Sequence, residues 1–126
     1  MKRVKLGAVL LAALLLTGAL LTAGMERMSS TLEKTLTAAA DAAMVENWAE
    51  ADDAMEKCRQ LWQRRRKQVA AVVDHELVEE TDSLFSQLVV YREKELPADY
   101  AVVCRCLAKQ AEAIGDSQSI RWWHLL

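Results

Sequence analysis

From Leu6 to Gly24 the chain runs nineteen residues without a charge or an amide side chain, whereas every later apolar run is broken at helical spacing. As a helix the first stretch is about 28 Å long at about 1.5 Å per residue, close to the roughly 30 Å of a bilayer's hydrocarbon. Lys2, Arg3 and Lys5 precede it and the balanced pair Glu26 and Arg27 follows. That asymmetry predicts a cytoplasmic stub (1–5), a single-pass cell-membrane anchor (6–24) held by membrane lipid, and an extracytoplasmic domain (25–126). A cleaved signal peptide is the competing reading, since Thr22-Ala23-Gly24 supplies small residues for a protease. The length favours the anchor, because signal cores run to about 7–15 residues.

Beyond the anchor, apolar residues recur three and four apart, the period of a helix with one buried face. Ser30-Thr31-Leu32-Glu33 has the form of a capping box, predicting a helix start with Leu32, Leu36, Ala39 and Ala43 inward. Asn47 predicts a second N-cap, followed by a stripe of Trp48, Ala51, Met55, Cys58, Trp62, Arg65 and Val69. Continuing that stripe would bury Glu76 and Glu79, so the helix must end. Asp74 is placed to cap a third helix with Leu77, Thr81, Leu84, Leu88 and Tyr91 inward and Phe85 beside them. Pro97 suits the first position of a fourth, which carries Val103, Cys106 or Leu107, Gln110 and Ile114, with Gly115 as its stop.

Composition agrees: one proline and four glycines punctuate a chain rich in good helix formers. The predicted fold is all-α, an N-terminal transmembrane helix followed by a small antiparallel bundle of about four helices, arranged as stacked helical hairpins. The apolar tail Ser119-Ile120-Arg121-Trp122-Trp123-His124-Leu125-Leu126 is too short for a helix of its own and is expected to dock.

Charge narrows the function. Residues 25–126 hold thirteen basic and eighteen acidic residues, a balance that predicts no nucleic-acid partner. Arg64-Arg65-Arg66-Lys67 therefore reads as the cationic end of the second helix, with Arg65 on the packed stripe reaching outward or towards an acid. Its alternative is contact with anionic lipid or wall polymer.

His75 and Glu79 stand one helical turn apart and can share a divalent metal, the basis for an alternative metal-binding enzyme or sensor. Two ligands make a weak site, and the only other histidine is His124. The structural reading is that Asp74 caps while His75 packs at the turn. A Cys58–Cys106 disulfide is geometrically possible on the exported side, with Cys104 facing away from Cys106. Trp48 and Trp62 read as core anchors whose indole N–H groups need acceptors. Trp122, Trp123, Leu125 and Leu126 are the interaction candidates if the tail is exposed. The chain carries no phosphate loop, nucleophile elbow or zinc-finger spacing, so no catalytic residue and no cofactor is predicted.

The ordered set Asn47-Trp48, Trp62 and His75, with the N-terminal anchor and short apolar C-terminus, resembles a family of small membrane proteins of Gram-positive bacteria known as domain of unknown function 4363. The resemblance implies a membrane-anchored helical module and brings no activity, cofactor or partner. Family members tend to end in asparagine followed by apolar residues, whereas this chain closes with His124-Leu125-Leu126. The expected function is a non-catalytic module at the outer face of the cytoplasmic membrane that binds another membrane or envelope protein.

Overall fold

A computed structural model of the chain describes the backbone of residues 2–125 and the side chains of residues 2–116. Four helices follow one another, α1 Lys2–Met44, α2 Trp48–Val72, α3 His75–Glu93 and α4 Pro97–Leu125, with no strand among the described residues. They form an antiparallel ring in chain order. α4 returns along α1 in the most extensive contact, α2 packs on α1 and α3 on α4, and of these neighbouring pairs α2 and α3 touch least. The fold is all-α, as the spacing predicts.

Two boundaries differ from the expected ones. The anchor and the first bundle helix are one 43-residue helix, so Ser30-Thr31-Leu32-Glu33 lies inside α1 and caps nothing. No proline interrupts this stretch, and the hydroxyls of Thr35 and Thr37 donate to carbonyls one turn back, those of Thr31 and Glu33. Nor does Gly115 stop α4, which continues to Leu125 and takes the backbone of Trp122 and Trp123 with it. Gly115 instead faces α1: a Cβ there would lie 2.6 Å from Ser29 Oγ and 2.9 Å from Ser29 Cβ. The Ser29 hydroxyl, itself buried, donates to the Ala111 carbonyl across the same seam. Buried Ala39, Ala40 and Ala43 on α1 and Ala101, Ala108 and Ala111 on α4 are small enough to let backbones approach.

The turns are short because the helix stops are tight. Glu46 (φ 56°) and Glu95 (φ 52°) take left-handed backbone after α1 and α3. Glu46 N–H then donates to Ala43 C=O and Asn47 N–H to Ala42 C=O; Glu95 and Leu96 repeat the pattern on Arg92 and Tyr91. Two otherwise orphaned carbonyls are satisfied at each stop. The next helix begins at once. Asn47 Oδ1 accepts from Glu50 N–H while Asn47 Nδ2 donates to Glu50 Oε2, the reciprocal cap its position predicts. Asp74 occupies the N-cap of α3, yet its side chain makes no capping bond; only its carbonyl accepts, from the N–H groups of Leu77 and Val78.

Leu36, Cys58, Val69, Val78, Leu88, Tyr100, Cys104, Leu107 and Ile114 form the fully buried centre of the core. The N-terminal half of α1 is the opposite case. It is long and apolar enough to cross a membrane, and its most apolar eighteen-residue window has no buried residue. Along its last turns the cover begins: Gly18, Thr22 and Gly24 are half-buried and Met25 is buried.

Candidate functional site

Several residues singled out by the sequence do not come together. His75 Nε2 lies 3.0 Å from Glu79 Oε1, but both side chains are largely exposed, at 80% and 65%. Among the described residues no group of three or more His, Cys, Asp or Glu side chains is placed to hold a metal. The cysteines divide the other way from expectation: Cys58 and Cys104 are buried while Cys106 is exposed, and all three are free. The inward face of α4 is set by Tyr100, Val103, Cys104, Leu107, Ala111 and Ile114, and Cys106 falls off that stripe. Burial pushes the Cys58 and Cys104 thiols up to about 12, which keeps them protonated and poor nucleophiles. Trp122, Trp123, Leu125 and Leu126, as side chains, lie outside the described residues.

Arg65 is half-buried, and its guanidinium donates to Gln68 Oε1 at 2.9 Å, not to an acid. The arginine that reaches an acid is its neighbour. Arg66 Nε and Nη2 both donate to Asp82 Oδ2, at 2.9 and 2.7 Å, across to α3. One residue along a helix turns the side chain by about 100°. The stripe leading to Arg65 drifts by that fraction over α2, and the residue facing α3 becomes Arg66.

The groove between α2 and α3 is where the chemistry collects. Trp62, buried on α2, stacks with Phe85 of α3 at 6.4 Å between centroids, and its indole N–H donates to Asp82 Oδ1 at 2.8 Å. Asp82 therefore accepts from a tryptophan and an arginine at once. At the far end of the groove Arg92 of α3 makes the mirror arrangement on Asp52 of α2, with bonds of 2.6 and 3.0 Å. The same guanidinium lies 4.8 Å over the Trp48 ring, and Trp48 meets Tyr100 edge-on at 5.4 Å. These contacts link the outer groove to the core.

Between the two ion pairs lie two recesses, of about 270 and 450 Å³, that share Arg59 and Val89 and so form one continuous groove. Its floor is Met55, Trp62, Phe85 and Leu88 with Tyr100. Arg59 makes no hydrogen bond or ion pair among the described residues. The Tyr100 hydroxyl is buried and has no hydrogen-bond partner among them either. A buried, unpaired hydroxyl costs about 1–3 kcal/mol, and this one borders the groove on the same side as the Arg59 guanidinium.

The Arg66 hydrogen bonds hold the Asp82 carboxyl below the ordinary carboxylate range, with the Trp62 N–H acting the same way and partial burial opposing. A carboxyl whose folded pKa is depressed contributes stability that is present above its unfolded pKa and lost as pH falls through the folded one. Acidification below about pH 4 is therefore expected to loosen the α2–α3 seam, weakly because Asp82 is 37% exposed. Asp82→Asn should flatten that part of the acid limb in a thermal-melt series; an unchanged acid limb would remove Asp82 as its source.

Sequence reasoning reached Trp48 and Trp62 but missed Asp52, Arg59, Asp82, Arg92 and Tyr100. Each looks like an ordinary surface or core residue until α3 is laid beside α2. Comparison with curated proteins and with solved structures finds no match. A family model matches residues 20–123, beginning inside the apolar run where α1 first gains neighbours and taking in the whole bundle, and by that match the chain belongs to the family described as Domain of unknown function (DUF4363).

Proposed function

We propose that the protein is a single-pass membrane protein whose bundle, on the outer face of the cytoplasmic membrane, binds a segment of another membrane or envelope protein without catalysing a reaction. The observation that carries this is the α2–α3 groove: an aromatic and aliphatic floor flanked by committed ion pairs, with Arg59 and the Tyr100 hydroxyl left without a hydrogen-bond partner among the described residues. Two donors beside an apolar floor suit a segment that presents a carboxylate next to an apolar side chain. The exposed apolar half of α1 supports the membrane tether, and the cations at 2, 3 and 5 support a cytoplasmic N-terminus.

Photo-crosslinking from full-length protein in its own membranes tests the reading. A crosslinker at Val89, on the groove, is expected to capture a discrete protein partner, while one at the exposed Val102 of α4 captures none. Arg59→Glu should cut the Val89 adduct about tenfold, the loss expected when a desolvated charge pair becomes a repulsion. Equal adducts at both positions, or none at Val89, would sink the groove. Adducts formed solely from position 123 would move the site to the end of α4.

A further inference from the structure

The uninterrupted α1 makes the depth of the bundle calculable. α2 runs back along α1 from a three-residue turn, and Lys34 and Ala38 of α1 share a recess with Asp53 and Lys57 of α2, which sets the register. At about 1.5 Å per residue on both helices, Arg64 stands about level with Met28, Lys67 with Met25 and Val72 with Leu20. The bundle is still closed at that height, where Val69 and Val78 are fully buried. Its α2–α3 end thus lies alongside the last turns of the apolar run, not beyond them.

Hydrocarbon cannot surround that end. Asp74, Glu76, Glu79 and Glu80 open α3 there, exposed, and each ionised side chain at the bilayer centre costs about 2.5–3.5 kcal/mol. The outer hydrocarbon boundary is drawn down to about Leu20, which leaves about 22 Å from Leu6, against a usual 30 Å or so. Snorkelling of Lys2, Arg3 and Lys5 and local thinning, at fractions of a kcal/mol per Å, absorb the difference. Residues 68–73 are an uncharged stretch between Lys67 and Asp74. Of the four cations before it, Arg66 is committed to Asp82 and Arg65 to Gln68. Arg64 bonds only a carbonyl, that of Gln60, and Lys67 has no partner among the described residues.

We propose that the α2–α3 end of the bundle is seated in the outer headgroup layer of zwitterionic lipids, with Lys67 on their phosphates and the opening acids of α3 on their ammonium groups. The charge pattern fits that class: a cation on one helix and acids on the next, all within about 8 Å of that boundary at about 1.5 Å per residue. The seat rests on the reading that α1 is embedded. It also turns the groove's Arg66–Asp82 end towards the bilayer.

Full-length protein carrying Cys106→Ser and a fluorophore at one introduced cysteine, in vesicles of phosphatidylcholine and phosphatidylethanolamine, tests it. Labels at Ala71→Cys, at the membrane-distal Val45→Cys and at Leu11→Cys are compared with quenchers on the headgroup and on the acyl chain. Headgroup quenching at 71 is expected to exceed that at 45 by about fivefold, since the layer is only a few Å deep. Equal quenching at 71 and 45 overturns the seat. Failure of acyl-chain quenching at 11 overturns the anchor instead. Lys67→Glu should reduce quenching at 71 by about half or more through phosphate repulsion; an unchanged value overturns the phosphate contact.

Discussion

Trp62→Ala is expected to destabilise the bundle by about 3–5 kcal/mol, the range for truncating a large buried aromatic. Trp62 is 3% exposed and performs three tasks at one point: it fills the core side of the groove, stacks on Phe85, and donates to Asp82. Trp62→Phe separates them. Phenylalanine keeps a ring against Phe85 and leaves Asp82 to Arg66, so its cost should stay near the roughly 1–2 kcal/mol of a lost hydrogen bond and a smaller ring. Urea titration of the full chain in detergent micelles, followed by circular dichroism, measures both. Equal losses for the two variants would mean that the N–H to Asp82, and not burial of the ring, holds the seam.

Gly115 gives the second large effect, and its sign is diagnostic. On a free helix surface glycine to alanine raises stability by about 1 kcal/mol. At Gly115 the new Cβ would stand 2.6 Å from Ser29 Oγ, and the side chain it would displace is the one bonded to Ala111. Gly115→Ala is therefore expected to destabilise by about 1–3 kcal/mol, and Gly115→Leu by more, because the α1–α4 seam must open. Gly24→Ala, with nothing within 4 Å of its Cβ, should move the other way. Ser29→Gly in the Gly115→Ala background should recover part of the loss. The same micelle titration reads all four, and a neutral or stabilising Gly115→Ala would refute the close approach.

The consequences differ for function. Loss at Trp62 opens the groove between α2 and α3 but leaves α1 on α4. Loss at Gly115 separates α4 from α1 at Ser29, just past the end of the apolar run, so it alters how the bundle stands on the apolar half of α1. Crosslinking from Val89 should suffer in the first case, and quenching at position 71 in the second.

Helix content, the order of elements and most of the core were legible in the chain because periodicity reports burial directly: a residue that recurs every three or four positions must face a neighbour. The Asn47 cap and Pro97 at the start of α4 were legible for a local reason, since a cap bonds amides within its own first turn. The two misread boundaries share one cause. Ser30-Thr31-Leu32-Glu33 and Gly115 carry start and stop patterns, but such patterns have force only where the backbone would otherwise lack partners, and here α1 and α4 hold each other straight.

What the sequence by itself determined is therefore the set of amphipathic faces and the apolar first half of α1, both of which depend on residues near one another in the chain. Only the tertiary structure decided that Arg66 and not Arg65 crosses to an acid, that Cys104 and not Cys106 turns inward, and that Arg59 and Tyr100 meet an open groove. It also decided that the apolar run and the bundle overlap in height. Those facts depend on the rotation and register of one helix against another, which are fixed by packing across the core and leave no trace in the spacing along either helix.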